Sequence, residues 1–253
     1  MVRRRMQGEP LQYILGTQPF GDLNLLTRPP VLIPRPETED WTIRLAQHIR
    51  PSSEKPMKLL DLCTGSGCIP LLLCHLWPPG SVHATAVDIS EDAVRLSLDN
   101  AQLCGISIPK DSSSILSSRN TFSPILANIR DPCFAQHAAL KGPFDVITSN
   151  PPYIPKAEYE TLPKSVKDFE DIRALLGDPD SSHDSRGLTF YHAIAHLIAR
   201  ARFLSDGGVV AVEVGQGQAA DVERILREEG GLGATTVWKD PWDVERVVVA
   251  SRT

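Results

Sequence analysis

The chain has 253 residues, 42% of them hydrophobic and 23% charged, an ordinary globular mix that excludes wholesale disorder. At roughly 150 residues per domain it holds one large domain, or one domain with an appendage. Its 26 Lys plus Arg against 31 Asp plus Glu leave a net charge of −5, which argues against affinity built on coating nucleic-acid phosphates; no run of ~18 apolar residues is present to span a bilayer.

Five cysteines (Cys63, Cys68, Cys74, Cys104, Cys133) are an odd number without a C-x-x-C pair. Reduced thiols are expected, not a disulfide framework or a structural metal. The opening Met1-Val-Arg-Arg-Arg-Met6 is basic, but no apolar segment follows it, so it is not a secretory signal. Motif-like sequence begins almost at once, and an incomplete N-terminus is expected.

Residues 8–37 are rich in Pro and Gly, and prolines 29, 30, 34 and 36 exclude a long helix. A short hairpin or extended arm is predicted, leading into a helix from about Thr38 to Ile49. Glu37 and Glu39 suit the positive end of its dipole. After a linker at Pro51–Pro56, Lys58–Cys63 reads as a buried strand, followed by a Gly turn and a helix to about Trp77. Val82–Asp88 is a second strand. Ser90 is the expected N-cap of a helix to about Cys104. Residues 107–123 are Ser-rich and read as a surface loop. A weak strand near Ser123–Ala127 and a clear one at Phe144–Ser149 follow, then a long charged connection over 155–188. Leu188–Phe203 has helical spacing, with Gly207-Gly208 expected to end it. Val209–Val214 is a strand, and Gln218–Glu229 is a helix stopped by Gly230-Gly231. Thr235–Trp238 and Arg246–Ser251 close the chain as antiparallel strands, because too few residues join them for a crossover helix.

Strand alternating with helix implies an α/β fold with a mostly parallel sheet covered on both faces. Ligands bind such sheets at the carboxyl ends of the strands, so the loops at 63–67, after 88, at 128–134 and at 150–155 carry the functional search. In Asp61-Leu-Cys-Thr-Gly-Ser-Gly67 the glycines allow close backbone approach to a ligand, and a helix N-terminus follows. Asp88 ends the next strand, where a carboxylate can accept from ribose hydroxyls. The third Gly of a dinucleotide fingerprint and the Lys of a phosphate loop are both missing. A nucleoside without pyrophosphate remains, with S-adenosylmethionine the leading candidate.

The sharper signal is Asn150-Pro-Pro-Tyr153, directly after a strand. Two prolines stiffen the loop and hold Asn150 at the sheet edge. The Asn side-chain carbonyl and the Pro carbonyls are acceptors suited to gripping a planar –NH₂ group, and Tyr153 can lay a ring against its flat face. An amide nitrogen is a poor nucleophile because its lone pair is delocalised. Acceptors that hold both of its hydrogens can disfavour the planar form and aim the lone pair at a methyl donor.

With these motifs the chain resembles the release-factor glutamine N5-methyltransferase (PrmC/HemK) family. The resemblance covers nearly the whole chain. It rests on Gly8–Gly16, Val31–Glu39, Leu60–Ile69, Ala86–Ser90, Ser149–Ile154, Phe169-Glu170, Ala174-Leu175, Gly177, Gly187-Leu188, Glu213–Gly215, Gln218, Asp240 and Arg246. It implies a Rossmann-like S-adenosylmethionine-dependent methyltransferase fold, with a mostly parallel seven-stranded sheet whose final strand is antiparallel. The implied activity is methylation of the glutamine amide in the Gly-Gly-Gln motif of a peptide chain release factor. Asp61, Cys63, Thr64, Gly65, Ser66, Gly67, Asp88 and Ile89 are then cofactor residues, with Asp131 as an adenine contact. Asn150, Pro151, Pro152 and Tyr153 hold the substrate amide, Asn150 also facing the cofactor, and Arg35 and Glu37 brace the mouth. No metal is implied.

The resemblance also divides the chain into an N-terminal arm, hairpin and helix (1–50), the remnant of or linker to a helical domain, and a catalytic domain (51–253). Three departures stand out: Cys63 where Gly is common, Pro70 in the following helix, and Asp171 where Pro is usual. The segments 107–123 and 178–186 read as exposed lineage insertions, fitting a mitochondrial-matrix member, with the cytoplasm as alternative. A monomer acting on a release factor is expected, with no membrane and no direct nucleic-acid partner. An adenine-N6 methyltransferase, a small-molecule methyltransferase and a cofactor-binding protein without turnover are the competing readings.

Overall fold

The computed structural model describes residues 1–109, 118–179, 185–200 and 203–252. Parts of both expected insertions, 110–117 and 180–184, lie outside the described residues. The chain opens with two one-turn helices, α1 (Val2–Met6) and α2 (Leu11–Leu15). A two-stranded antiparallel hairpin follows, β1 (Thr17–Phe20) and β2 (Leu23–Leu26). Helix α3 (Pro36–His48) begins two residues before the expected Thr38 because Pro36 occupies its first position, where the missing N–H has no intrahelical partner to lose.

The repeating region contains β3 (Met57–Leu62), α4 (Cys68–Leu76), β4 (Val82–Asp88), α5 (Glu91–Leu103), β5 (Thr121–Leu126) and β6 (Phe144–Ser149). The connection predicted over 155–188 is broken into α6 (Lys156–Thr161), α7 (Lys164–Lys167) and α8 (Ile172–Leu175). The chain ends with α9 (Thr189–Ala199), β7 (Leu204–Glu213), α10 (Ala219–Glu228), β8 (Ala234–Lys239) and β9 (Glu245–Ser251). Seven strands form one sheet in the order β5-β4-β3-β6-β7-β9-β8, parallel except for β9, which runs antiparallel to both its neighbours. Pro124 is tolerated in β5 because that strand is an edge. Pro70 is the third residue of α4, still within the first turn.

Side chains alternate across the central strands. Leu59 joins a core with Trp41, Leu45, Leu72 and the hairpin residues Phe20 and Leu25. Leu60 and Leu62 join the opposite core, built from α9 and α10. Each fully buried leucine contributes about 1.5–3 kcal/mol. No described helix is long and apolar enough to cross a membrane.

Two expectations are corrected. Gly207-Gly208 does not end a helix: α9 stops at Ala199, and the glycine pair lies inside β7. There the register against β6 shifts between Phe144 and Val146, and Gly207 takes a φ of 72°. The pair absorbs a bulge, and the Arg252 backbone brackets it, accepting from Gly207 N–H and donating to Gly208 O. Ser90 stands at the N-cap of α5, but its side chain makes no capping bond. Asp88 Oδ1 accepts the Ser90 N–H instead, at 2.9 Å.

Candidate active site at the carboxyl edge of the sheet

The glycine turn after β3 is a reversal at the sheet edge. Cys63 has φ 58°, Gly65 φ 55° and Gly67 φ 80°. Gly67 starts α4, and a Cβ there would press against Ser97 at 3.1 Å and Leu71 at 3.2 Å. Cys63, standing where the family pattern has Gly, therefore carries a side chain in a left-handed conformation. Burial raises the pKa of its thiol, and the nearby Asp88 and Asp61 carboxylates act in the same direction.

Asp88, at the end of β4, is joined to this turn. Its Oδ2 accepts the Gly65 N–H at 2.9 Å while Oδ1 takes Ser90 N–H. Burial raises its carboxyl pKa, opposed by these backbone donors. Asp61 is fully buried in β3 and accepts from Thr148 Oγ1 at 2.7 Å. Its other oxygen and Thr64 Oγ1 have no partner among the described residues. Desolvation raises the Asp61 pKa to about 7.

A cavity opens beside these strand ends. Of the expected residues, Cys63, Gly65, Asp88, Ile89, Asn150 and Pro152 line it. Thr64, Ser66 and Gly67 are buried behind that wall, with Asp61. Asp131 is not on the wall: the neighbouring residues Ala127–Arg130 are, and Asp131 Oδ1 turns to Cys133 N–H at 2.8 Å. Phe190, Leu32, Asp171 and Arg173 also line the cavity and were not among the site residues expected from the sequence. Among the described residues no cluster of His, Cys, Asp or Glu could hold a metal ion.

Asn150 follows β6, and its Nδ2 donates to Thr38 Oγ1 at 3.3 Å. The far end of the same loop is clamped by Gln218, whose Nε2 donates to Tyr153 O at 2.9 Å and to Arg186 O at 2.7 Å. Ile154 adds a bridge to Leu176. Tyr153 does not line the cavity. Its ring packs on the core beside α9, within the electrostatic reach of Glu213, Arg246, Arg35 and Glu37.

Arg35 and Glu37 part company. Arg35 Nη2 meets both oxygens of Glu170, at 2.8 and 2.6 Å, and Glu170 is only 4% exposed. Glu37 acts on Tyr153, Glu213 and Arg246 instead. The departure at Asp171 has a local account. Its N–H donates to Pro30 O at 2.8 Å, a bond that Pro could not make, and its carboxylate caps α8 and pairs with Arg173. Arg246 is fixed by Asp240 at 2.9 Å.

The arrangement faces a nucleoside-type turn and an acidic strand end towards an amide-bearing, proline-stiffened loop across one cavity. The comparisons with known proteins agree with it. The release factor glutamine methyltransferase of Thermodesulfovibrio yellowstonii is 32% identical over 253 residues, covering 100% of this chain and 80% of that protein. That of Geobacter sulfurreducens is 36% identical over 251 residues, covering 98% and 75%. Among solved structures, a methyltransferase from Pyrococcus furiosus superposes with a TM-score of 0.59 at 15% identity, covering 98% of each chain, a likeness of fold. No family model matches the chain. Carried by a likeness that spans nearly the whole of this chain, the conclusion is that the chain belongs to the release factor glutamine methyltransferase family.

Proposed function

We propose that the protein transfers a methyl group from S-adenosylmethionine to the side-chain nitrogen of the glutamine in the Gly-Gly-Gln motif of a peptide chain release factor. The observation that carries this reading is Asn150 on the cavity wall shared with Asp88 and Gly65, in a chain matched over nearly all of its length by relatives of that name. The residues present suit the cofactor. Asp88 is an acceptor at the wall, and the buried oxygens Asp61 Oδ2 and Thr64 Oγ1 still have hydrogen-bonding capacity to offer.

Bound S-adenosylmethionine supplies an electrophilic methyl on a sulfonium. The chain's part is to hold and orient the nucleophile. Asn150 Oδ1 and the Pro151 carbonyl accept the two amide hydrogens, and Pro152 keeps the loop rigid beside the cofactor wall. Tyr153, packed on the core, anchors the far end of the loop from behind. Holding both N–H bonds lets the nitrogen pyramidalise towards the methyl, and such positioning removes about 7–11 kcal/mol of barrier in favourable cases. One N–C bond forms as the S–C bond breaks. The nitrogen becomes acidic only then and loses its proton to solvent, so no strong general base is required.

The test is mass spectrometry of the Gly-Gly-Gln peptide after a purified release factor is incubated with the chain and S-adenosylmethionine. A mass gain of one methyl on the glutamine is expected. Asn150→Ala should abolish it while calorimetry still detects cofactor binding. Methylation of DNA or RNA adenine instead, or label transfer that survives Asn150→Ala, would overturn the reading.

We further assign the chain to the mitochondrial matrix ahead of the cytoplasm, as a monomer. The five free thiols support a reducing compartment, and the sequence segments 107–123 and 178–186, read as lineage insertions, support the organellar one. Light scattering tests the first mass, and cell fractionation the compartment.

A further inference from the structure

We propose that Glu213 and Thr38 form a polarity relay that dictates which end of the Asn150 side-chain amide is presented to the substrate. The inference rests on the reading of Asn150 as the group that grips the substrate amide.

Glu213 ends β7 and is 2% exposed. Thr38 and Trp41 lie three residues apart on α3, on one helix face. Both donate to the same carboxylate oxygen, Thr38 Oγ1 at 2.7 Å and Trp41 Nε1 at 2.8 Å. The Glu213 backbone is pinned as well, its carbonyl accepting from Tyr191 OH at 2.9 Å. Thr42 Oγ1 holds the Thr38 carbonyl at 2.7 Å.

The consequence follows from counting hydrogens. Trp41 Nε1 can only donate, so the Glu213 oxygen it shares with Thr38 is an acceptor, and a threonine hydroxyl has one hydrogen. Thr38 commits that hydrogen to Glu213, so its oxygen can only accept from Asn150. Asn150 must therefore turn its NH₂ towards α3, where Nδ2 meets Thr38 Oγ1 at 3.3 Å. Its Oδ1 is left for the substrate. A substrate –NH₂ needs an acceptor there. The reversed amide would meet it with a second NH₂, donor against donor. Glu213 and Thr38 are positioning residues, since they act through Asn150.

Four variants test this. Thr38→Val removes the hydroxyl at constant shape. Glu213→Leu removes the acceptor and frees the Thr38 hydrogen. Glu213→Gln keeps the relay, because Trp41 Nε1 only donates and so holds the Gln carbonyl oxygen in the position it shares with Thr38. Thr38→Ser restores the hydroxyl. With the release factor as substrate, Thr38→Val and Glu213→Leu should each lose kcat on the order of 100-fold, with unchanged cofactor Kd, and the double variant should lose no more than either single. Thr38→Ser and Glu213→Gln should keep most of the rate. A second readout needs no turnover. In the ¹⁵N-labelled chain the Asn150 NH₂ pair, identified by its absence in Asn150→Ala, should exchange slowly in wild type, Thr38→Ser and Glu213→Gln. It should exchange fast in Glu213→Leu and in Thr38→Val. If the Asn150 NH₂ signals are the same in all variants, or kcat is unchanged in Thr38→Val and Glu213→Leu, the relay is overturned. A wild type with no glutamine methylation but with a Thr38-dependent Asn150 NH₂ signal instead refutes the substrate and keeps the relay.

Discussion

Gly187 lies against the backbone of Tyr153 so closely that a Cβ on it would fall 2.1 Å from the Tyr153 carbonyl oxygen. The contact joins the segment before α9 to the loop that carries Asn150. Gly187 also has φ 79° and packs on Gly177, and its N–H is held by Asp178 at 2.6 Å. Gly187→Ala should destabilise the chain by about 1–3 kcal/mol from the backbone conformation alone. It should also shift Asn150 and remove methyl transfer. Thermal melting and the peptide assay read the two effects. A melting point and rate equal to wild type would remove the claim.

Cys63 stands in the left-handed region at φ 58°. Cys63→Gly should leave the melting temperature unchanged or raise it, because the released strain of about 1 kcal/mol opposes a similar entropy loss. Cys63→Val should lower it, because a β-branched side chain fits that conformation worst. The order Gly ≥ Cys > Val in melting temperature is the expected result, and Val above Gly would contradict it.

Asp61 gives a pH signature. Its folded pKa of about 7 lies above its ordinary value of 3.8. Folding thus favours the protonated form. The contribution is full below about pH 4 and is lost as pH rises through about 7. Relative to Asp61→Asn, the ligand-free chain should therefore lose stability between pH 5 and pH 8, measured by melting temperature. A cationic ligand beside the carboxylate reverses the preference. S-adenosylmethionine binding near pH 6 should release protons in wild type and not in Asp61→Asn, read by calorimetry in two buffers of different ionisation heat. Equal proton release in both proteins would sever Asp61 from the cofactor.

Arg35→Ala should destabilise the fold by about 2–4 kcal/mol, because it strands the buried Glu170 carboxylate, whose pKa burial already raises and Arg35 lowers. The figure sits at the modest end because Arg35 is itself a third exposed. Arg35→Ala combined with Glu170→Gln should recover much of the loss. A double variant as unstable as the single would assign the effect to packing instead.

The sheet and its ligand edge were legible because their signals are local. Val82–Asp88 and Phe144–Ser149 are strands over the residues read from hydrophobic runs, and Asn150, Gly65 and Asp88 share a cavity as the strand-end rule implies. The Asn150 support was not legible, because Thr38 and Trp41 lie 175 and 172 residues from Glu213. The available signal was a glutamate inside the apolar run Val209–Val214, a residue that is buried only with partners. Gly207-Gly208 was misread because a glycine pair stops a helix and bulges a strand with the same freedom of φ. Asp131 and Ala127–Arg130 are neighbours on one loop, and spacing alone does not say which side of a turn faces a ligand.

Asn100, buried in α5, bridges the hairpin and the glycine turn that walls the cavity. Its Oδ1 accepts Leu26 N–H at 2.7 Å, while its Nδ2 donates to Ser66 O at 3.0 Å. One planar amide thus spans the hairpin and the glycine turn. By thermodynamic reciprocity, if a ligand in the cavity steadies the hairpin through this amide, anything that grips the hairpin must strengthen that ligand's binding by the same factor. Hydrogen exchange at Leu26 is therefore a remote gauge of what occupies the cleft.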